Sequence, residues 1–112
     1  LAEAMALIER SGLDRERALE VLTNGAPGSP LVKALSGRMA ARDYTPNFVL
    51  RLMAKDMSYA LAEGRGHGLQ LSTVASALEL LQQAIAAGHG EEDFSALVEP
   101  LRDSPSGTRR TP

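Results

Sequence analysis

The sequence predicts an all-α fold, a helical bundle of about six helices, from three observations. Apolar residues recur at i, i+3 and i+4 spacing along most of the chain, which is the period of an α-helix. No segment alternates polar and apolar residues over several positions, and β-branched residues are few. Breaks rich in glycine or proline divide the 112 residues into pieces of helical length. With 44% hydrophobic and 23% charged residues, the composition is that of one ordinary globular domain.

The first two predicted helices precede the break NGAPG, residues 24–28. The first helix ends at Gly12, a residue type that often follows the last helical turn. Asp14 is then the expected N-cap of the second helix. The residues expected to face inward are Leu1, Ala4, Met5 and Ile8 in the first helix, and Ala18, Leu19 and Leu22 in the second.

The third and fourth helices follow that break. Ser29 and Pro30 read as the N-cap and first position of the third helix, because proline is favoured where no intrahelical N–H bond is needed. Its apolar side is formed by Leu31, Leu35 and Met39. After a turn at residues 43–46, the fourth helix is predicted from Asn47 to Glu63, and GRGHG at residues 64–68 ends it.

The fifth helix, predicted from Leu71 to Ala87, has the strongest apolar stripe, formed by Val74, Ala75, Leu78, Leu81 and Ile85. A glycine-rich break at residues 88–90 follows. Asp93 is the expected N-cap of a short sixth helix that bears Ala96, Leu97 and Leu101, and Pro100 favours an early end to it. Residues 1–101 therefore form the predicted domain, and the polar residues 102–112 are predicted to be a disordered tail.

Composition argues against several classes of function. A net charge of −2 gives no basic excess for nucleic acid or an anionic membrane. The chain has no cysteine, which excludes disulfides and fits a cytoplasmic location. No apolar run is long enough to span a bilayer. The two histidines, His67 and His89, stand in glycine-rich breaks without patterned partners, so neither a metal site nor a serine triad is expected.

The fourth helix raises a question, because Lys55 and Asp56 stand side by side in an apolar stretch. On a helical wheel Lys55 lies at the edge of the polar face, where its stem can cover apolar neighbours while its charge meets water. Asp56 falls inside the apolar arc, among Val49, Leu52, Met53 and Ala60. Two interpretations remain open from spacing: a surface lysine beside an aspartate that caps a neighbouring element, or two residues that line a cleft.

Three motifs in this order resemble the β-hydroxyacid dehydrogenase family, which includes 3-hydroxyisobutyrate dehydrogenase and tartronate semialdehyde reductase. The first is AEAMALIERSGLD at residues 2–14. The second is F-x6-K-D in NFVLRLMAKDM, from Phe48 to Asp56. The third is G-x-G-x-x-D-x-S at residues 88–95. One departure is Gln70, at a place where the family often has proline.

The resemblance implies the family's C-terminal helical domain, whose fold resembles the C-terminal domain of 6-phosphogluconate dehydrogenase. In the family, an N-terminal Rossmann domain binds NAD or NADP, and the catalytic lysine lies just upstream of the AEA segment. Here the chain starts at that segment, so the resemblance implies that the Rossmann domain and catalytic lysine lie outside it and that this piece alone is inactive. The whole enzyme would transfer hydride between nicotinamide and a small β-hydroxy acid or its semialdehyde.

The resemblance also assigns expected roles to three residues of this chain. Lys55 matches a lysine that reaches the cofactor near its nicotinamide end. Phe48 matches an aromatic residue in the substrate region, and Asp56 matches a residue at the same cleft. None of the three is expected to be catalytic, and no metal ligand is expected.

Surplus apolar surface on the first and fifth helices favours packing against the Rossmann domain or a second copy, hence a homo-oligomer. Two alternatives to this family enzyme remain open. The same surface would suit a stand-alone, non-enzymatic helical dimerisation module. A relative of the imine reductases would share the architecture and differ in its catalytic residues.

Overall fold

The structure, a computed structural model, describes residues 1–103, which form six α-helices and two short helical turns. The α-helices are α1 (Ala2–Ser11), α2 (Arg15–Asn24), α3 (Pro30–Ala41), α4 (Leu50–Gly66), α5 (Ser72–Ala84) and α6 (Val98–Asp103). A short helical turn, Ile85–His89, extends α5 and is kinked at Gly88, whose φ is 100°, and a 3-10 turn, Phe94–Leu97, leads into α6. Within these residues no strand forms, and only an isolated antiparallel bridge joins Val49 to Asp93. The prediction of an all-α fold is confirmed.

Several helix ends follow the local signals in the sequence. The side chain of Asp14 accepts a hydrogen bond from the backbone N–H of Arg17 at 3.2 Å. The hydroxyl of Ser29 accepts one from the N–H of Val32 at 3.1 Å, and Pro30 is the first residue of α3. Gly12 adopts the left-handed conformation with φ 82° at the end of α1. Each cap satisfies helix-end groups that would otherwise lack a partner.

The predicted bounds of the fourth and fifth helices were wrong by several residues. α4 begins at Leu50 instead of Asn47, because the 90–94 segment holds the residues before it in an extended path. The N–H groups of Leu50 and Arg51 donate to the carbonyls of Glu92 and Gly90, at 2.8 and 2.9 Å. At the other end α4 continues to Gly66, past the expected Glu63, and α5 runs over Ser72–Ala84.

The predicted start of the tail at residue 102 was also wrong, since α6 continues to Asp103. Pro100 is the third residue of α6, a position whose N–H would have no intrahelical partner, so the ring does not break the helix. The remainder of the predicted tail, residues 104–112, lies outside the described residues.

Two apolar clusters form the core. One joins α4 and α5 to the 3-10 turn and contains Leu50, Ala54, Leu81, Ala84 and Ala96. The other joins α1 and α3 to α6 and contains Ala2, Met5, Met39 and Val98. Tyr44 and Leu97 pack against both clusters, so the segment before α4 lies where the two halves of the domain meet.

Candidate functional site

The outer face of α4 carries Lys55, Asp56 and Tyr59, all exposed to solvent. The ammonium of Lys55 lies 6.0 Å from the centre of the Tyr59 ring, within the range of a cation–π contact. None of the ion pairs formed within residues 1–103 involves Lys55 or Asp56. Both charges are therefore available to a group outside the described part of the chain.

The expectation that Asp56 lies inside an apolar arc was wrong. The buried residues of α4 are Leu50, Ala54 and Gly64, and Met57 and Leu61 are half-buried beside them. On a wheel of about 100° per residue this face is turned by about a quarter turn or more from Asp56. The sequence misled because α4 packs on α5 through small residues such as Ala54, while the half-buried Leu52 lies on the side of α4 away from that cluster.

Phe48 lies before α4 in the extended segment, with 38% of its surface exposed. Its ring meets the ring of Phe94 edge to face, with centroids 5.8 Å apart and an angle of 63° between the planes. The N–H of Phe94 donates to the carbonyl of Phe48 at 2.8 Å. Phe48 is thus held by Phe94, the first residue of the 3-10 turn, whereas Lys55 and Asp56 share the outer face of α4.

Asp93 lies at the centre of this arrangement and is fully buried. One carboxylate oxygen, Oδ1, accepts the N–H groups of Asn47 and Phe48 at 2.9 and 3.0 Å. The other, Oδ2, accepts the N–H and hydroxyl of Ser95 at 3.0 and 2.5 Å. The guanidinium Nε of Arg38 is 3.5 Å from Oδ2 and has no hydrogen-bond partner. Burial alone would raise the pKa of Asp93, but the hydrogen bonds outweigh it and lower that pKa to about 2.

An open cavity of about 330 Å³ adjoins Phe48 on the side of α3. Its lining is mainly apolar, from Leu31, Ala34, Leu35, Phe48, Met53 and Phe94, with Arg38, Asn47 and Asp93 as the polar members. A second Arg38 nitrogen, Nη2, donates to the carbonyl of Thr45, which fixes the guanidinium over the segment that leads to Phe48. The cavity gives the Phe48 ring free space on one side.

A separate charged network joins the two ends of the domain. Arg102 donates to both carboxylate oxygens of Glu9 at 2.8 and 2.7 Å, to Glu99 at 2.8 Å and to the carbonyl of Met39 at 2.8 Å. Arg42 adds a bond to Glu99 at 2.7 Å, and Tyr44 also donates to Glu99. The pKa of Arg102 is raised, first by its hydrogen bond to Glu9. Since every strong donor and acceptor here is matched within the domain, we interpret this network as structural.

The two histidines pair with nearby glutamates on the surface. His67 Nε2 lies 2.8 Å from Glu63, and His89 Nδ1 lies 2.6 Å from Glu92. Among the described residues, no group of three potential ligand side chains is placed to hold a metal ion. No helix of residues 1–103 has the length and apolar character required to cross a bilayer.

Sequence reasoning missed Arg38, Asn47 and Arg102. The prediction placed Asn47 at the start of the fourth helix. Its contact with Asp93 spans 46 residues and leaves no periodic signal in the sequence, so the extended conformation was not expected. No role was predicted for Arg38 from the sequence. Arg38 and Arg102 contact Asp93 and Glu9, which lie far away in the sequence, so no local pattern predicts their roles.

Comparison with known proteins places these observations in context. A family model described as the NAD-binding of NADP-dependent 3-hydroxyisobutyrate dehydrogenase matches residues 1–101. Glyoxylate/succinic semialdehyde reductase 1 of Arabidopsis thaliana is 34% identical over 103 residues, which cover 92% of this chain and 36% of that protein. 2-Hydroxy-3-oxopropionate reductase of Escherichia coli K12 is 31% identical over 101 residues, which cover 90% of this chain and 35% of the relative.

A solved structure gives the same result. The crystal structure of 3-hydroxyisobutyrate dehydrogenase from Salmonella typhimurium superposes with a TM-score of 0.83 at 29% identity. The match covers 88% of this chain and 35% of that one. The chain therefore spans about a third of the length of the relatives that it matches.

Proposed function

We propose that this chain, which belongs to the 3-hydroxyisobutyrate dehydrogenase family by its match over residues 1–101, is the helical domain of an NAD- or NADP-dependent oxidoreductase. The whole enzyme transfers hydride between nicotinamide and a small β-hydroxy acid or its semialdehyde. The names of the relatives support this substrate class, since they include a glyoxylate/succinic semialdehyde reductase and a 2-hydroxy-3-oxopropionate reductase. The nicotinamide supplies the hydride chemistry when bound.

The exposed charge of Lys55 is the observation that carries the proposal for this chain. An exposed lysine without a carboxylate partner in residues 1–103 suits a cofactor group that carries negative charge or carbonyl oxygens. Tyr59 one turn further along α4 limits the positions of the ammonium. Lys55 therefore binds the cofactor across a domain boundary, and no residue of this chain is the catalytic lysine.

Phe48 and Asp56 face the substrate side of the same cleft. The partly exposed Phe48 ring gives an apolar wall that excludes water from a small hydroxy acid. Asp56 is exposed on α4 next to Lys55, so it can accept a hydrogen bond from a hydroxyl group. A helical domain that offers these side chains closes the cleft over a Rossmann domain, and alone it is inactive.

The same proposal includes a homo-oligomer in the cytoplasm. Large apolar side chains remain exposed on α1, α2 and α3, including Leu7 at 70%, Val21 at 71% and Leu31 at 60%. A contiguous surface built from such side chains would mark a contact with a further domain or subunit. Sedimentation of the full-length enzyme at micromolar concentration should give a dimer or larger assembly, and a monomer would contradict this part.

Nucleotide binding by the full-length enzyme tests the role of Lys55. Lys55→Ala should raise the dissociation constant for NAD or NADP by about tenfold, since a hydrogen bond to a charged group contributes about 1.5 kcal/mol or more. Lys33→Ala is the matched control, because Lys33 is the other lysine of the chain and is exposed on α3. Fluorescence titration of reduced nicotinamide measures both variants. Equal dissociation constants for wild type and Lys55→Ala would rule out the contact.

A further inference from the structure

The backbone of Phe48 is fixed by a segment that is remote in sequence. Its N–H donates to Asp93 Oδ1 at 3.0 Å, and its carbonyl accepts the N–H of Phe94 at 2.8 Å. The preceding N–H, that of Asn47, also donates to Asp93 Oδ1 at 2.9 Å. Both backbone polar groups of Phe48 are therefore bonded to two consecutive residues, and its ring rests against one of them.

We propose that Asp93 is a positioning residue that sets the place of the Phe48 ring in the substrate cleft. This inference rests on the proposed function, because it assigns Asp93 a role through Phe48 and no contact with substrate. Asp93 is fully buried, whereas Phe48 is 38% exposed, so the carboxylate acts from behind the surface that a substrate would meet.

The cavity beside Phe48 explains why such a restraint is needed. It holds about 330 Å³ of open space along α3, enough for an aromatic ring to turn away from the surface. The ring contact with Phe94 holds one side only. The hydrogen bonds that the N–H groups of Asn47 and Phe48 donate to Asp93 thus fix the backbone that bears a side chain which packing leaves partly free.

A carboxylate fits this position better than an amide does. Donors approach both oxygens of Asp93: backbone N–H groups at Oδ1, and Ser95 with the Arg38 guanidinium at Oδ2. In Asp93→Asn, one of these oxygens becomes an NH₂ group that faces donors. Whichever way the amide turns, one set of donors loses its acceptor, and we expect the 47–48 segment or the 3-10 turn to shift.

The position of the ring can be measured on this chain without any enzyme assay. The sequence has only two phenylalanines, Phe48 and Phe94, so a sample labelled at phenylalanine gives an unambiguous ring-to-ring NOE. Asp93→Asn should abolish this cross-peak or move the Phe48 ring shifts while the helical circular dichroism persists. Asp14→Asn is the matched control, since it changes another N-cap aspartate that is exposed and far along the chain, and asparagine is an equally good cap.

The consequence for catalysis is measured in the full-length enzyme by a double-mutant cycle with Phe48→Leu. Misplacing a substrate-contacting group by about 1 Å costs up to about 100-fold, so Asp93→Asn should lower kcat/KM by about 10-fold or more. In the Phe48→Leu background the same change should cost much less, because the ring through which it acts is absent. A loss of equal size in both backgrounds would overturn the proposal.

The two measurements separate failure of this inference from failure of the proposed function. An unchanged ring-to-ring NOE together with unchanged Phe48 ring shifts in Asp93→Asn overturns the positioning role, whatever the enzyme does. A lost NOE with no effect of Phe48→Leu on kcat/KM refutes instead the place of Phe48 in the cleft, and the positioning role in the substrate cleft falls with it. If Asp93→Asn does not fold, Ser95→Ala removes the hydroxyl that donates to Asp93 Oδ2 and should move the Phe48 ring shifts, and unchanged shifts in that variant overturn the positioning role.

Discussion

At the scale of the residue, the main feature is the carboxylate of Asp93, which accepts hydrogen bonds from the segment that carries Phe48 and from the 3-10 turn. Four donor groups from Asn47, Phe48 and Ser95 satisfy its two oxygens, and Arg38 adds positive charge. The sequence predicted Asp93 as an N-cap, and that is confirmed by the bond from Ser95. It did not predict the bonds to residues 47 and 48, because a local capping rule carries no information about a partner 46 residues away.

This carboxylate should make the stability of the chain depend on acid. Its pKa in the folded chain is about 2, below the ordinary value of 3.8. A lowered pKa stabilises the fold above the ordinary value, and that contribution is lost as pH falls from about 4 toward 2. The shift corresponds to about 2 kcal/mol of unfolding free energy.

Urea denaturation of wild type and Asp93→Asn at pH 7 and at pH 2.5 measures this contribution. The difference in unfolding free energy between the two chains should shrink at the lower pH, since Asp93 is then partly protonated in both states. Other carboxylates with lowered pKa values, such as Glu9 and Glu99, are present in both chains and cancel in the difference. A difference that is the same at both pH values would contradict the assigned pKa.

At the scale of the element, helices with local caps were predicted closely, and α4 was not. The starts of α2 and α3 follow from Asp14, Ser29 and Pro30, which act within three residues. α4 has no side-chain cap of its own, and the carbonyls of residues 90 and 92 satisfy its first N–H groups. The position of Asp56 was misjudged for a related reason, since the packing of α4 on α5 decides which side is buried.

The first residue of α4 should contribute strongly to stability, because Leu50 is fully buried between α4, α5 and the 3-10 turn. Leu50→Ala leaves a cavity there and should lower the unfolding free energy by about 2–5 kcal/mol. Leu7→Ala is the matched control, since Leu7 is helical and 70% exposed, and it should change stability by about 0.5 kcal/mol or less. Thermal unfolding followed by circular dichroism compares the two, and equal effects would contradict the assigned core.

At the scale of the whole molecule, the domain is closed by contacts between its first and last helices. α1 and α6 pack through Met5 and Val98, and Arg102 reaches back to Glu9 across 93 positions. The sequence predicted the number of helices and the apolar residues Met5 and Met39, because periodicity reports burial. It placed Arg102 in a tail, since residues 102–112 are polar and rich in proline, glycine and serine.

Arg102 should therefore be essential to the fold. A chain that ends at residue 101 should be less stable than one that ends at residue 103 by about 3–5 kcal/mol, because Glu9 and Glu99 lose their shared, nearly buried partner. Arg102→Met within the full 112 residues should cost a similar amount, which separates loss of the guanidinium from loss of chain length. Urea denaturation at pH 7 measures all three, and unchanged midpoints would show that the network contributes little.

The bonds that fix the start of α4 and the end of α1 come from residues 90–103, and this sets an order of events during translation. When a ribosome has made residues up to 89, α1, α2 and α3 have already been released, and the sequences of α4 and α5 follow them. The acceptors in residues 90–93 that bind the N–H groups of residues 47–51 have not yet been made. The nascent chain holds separate helical segments until residues 90–103 have emerged from the exit tunnel. The surface that carries Phe48 is thus completed only after that later segment has joined the segments made before it.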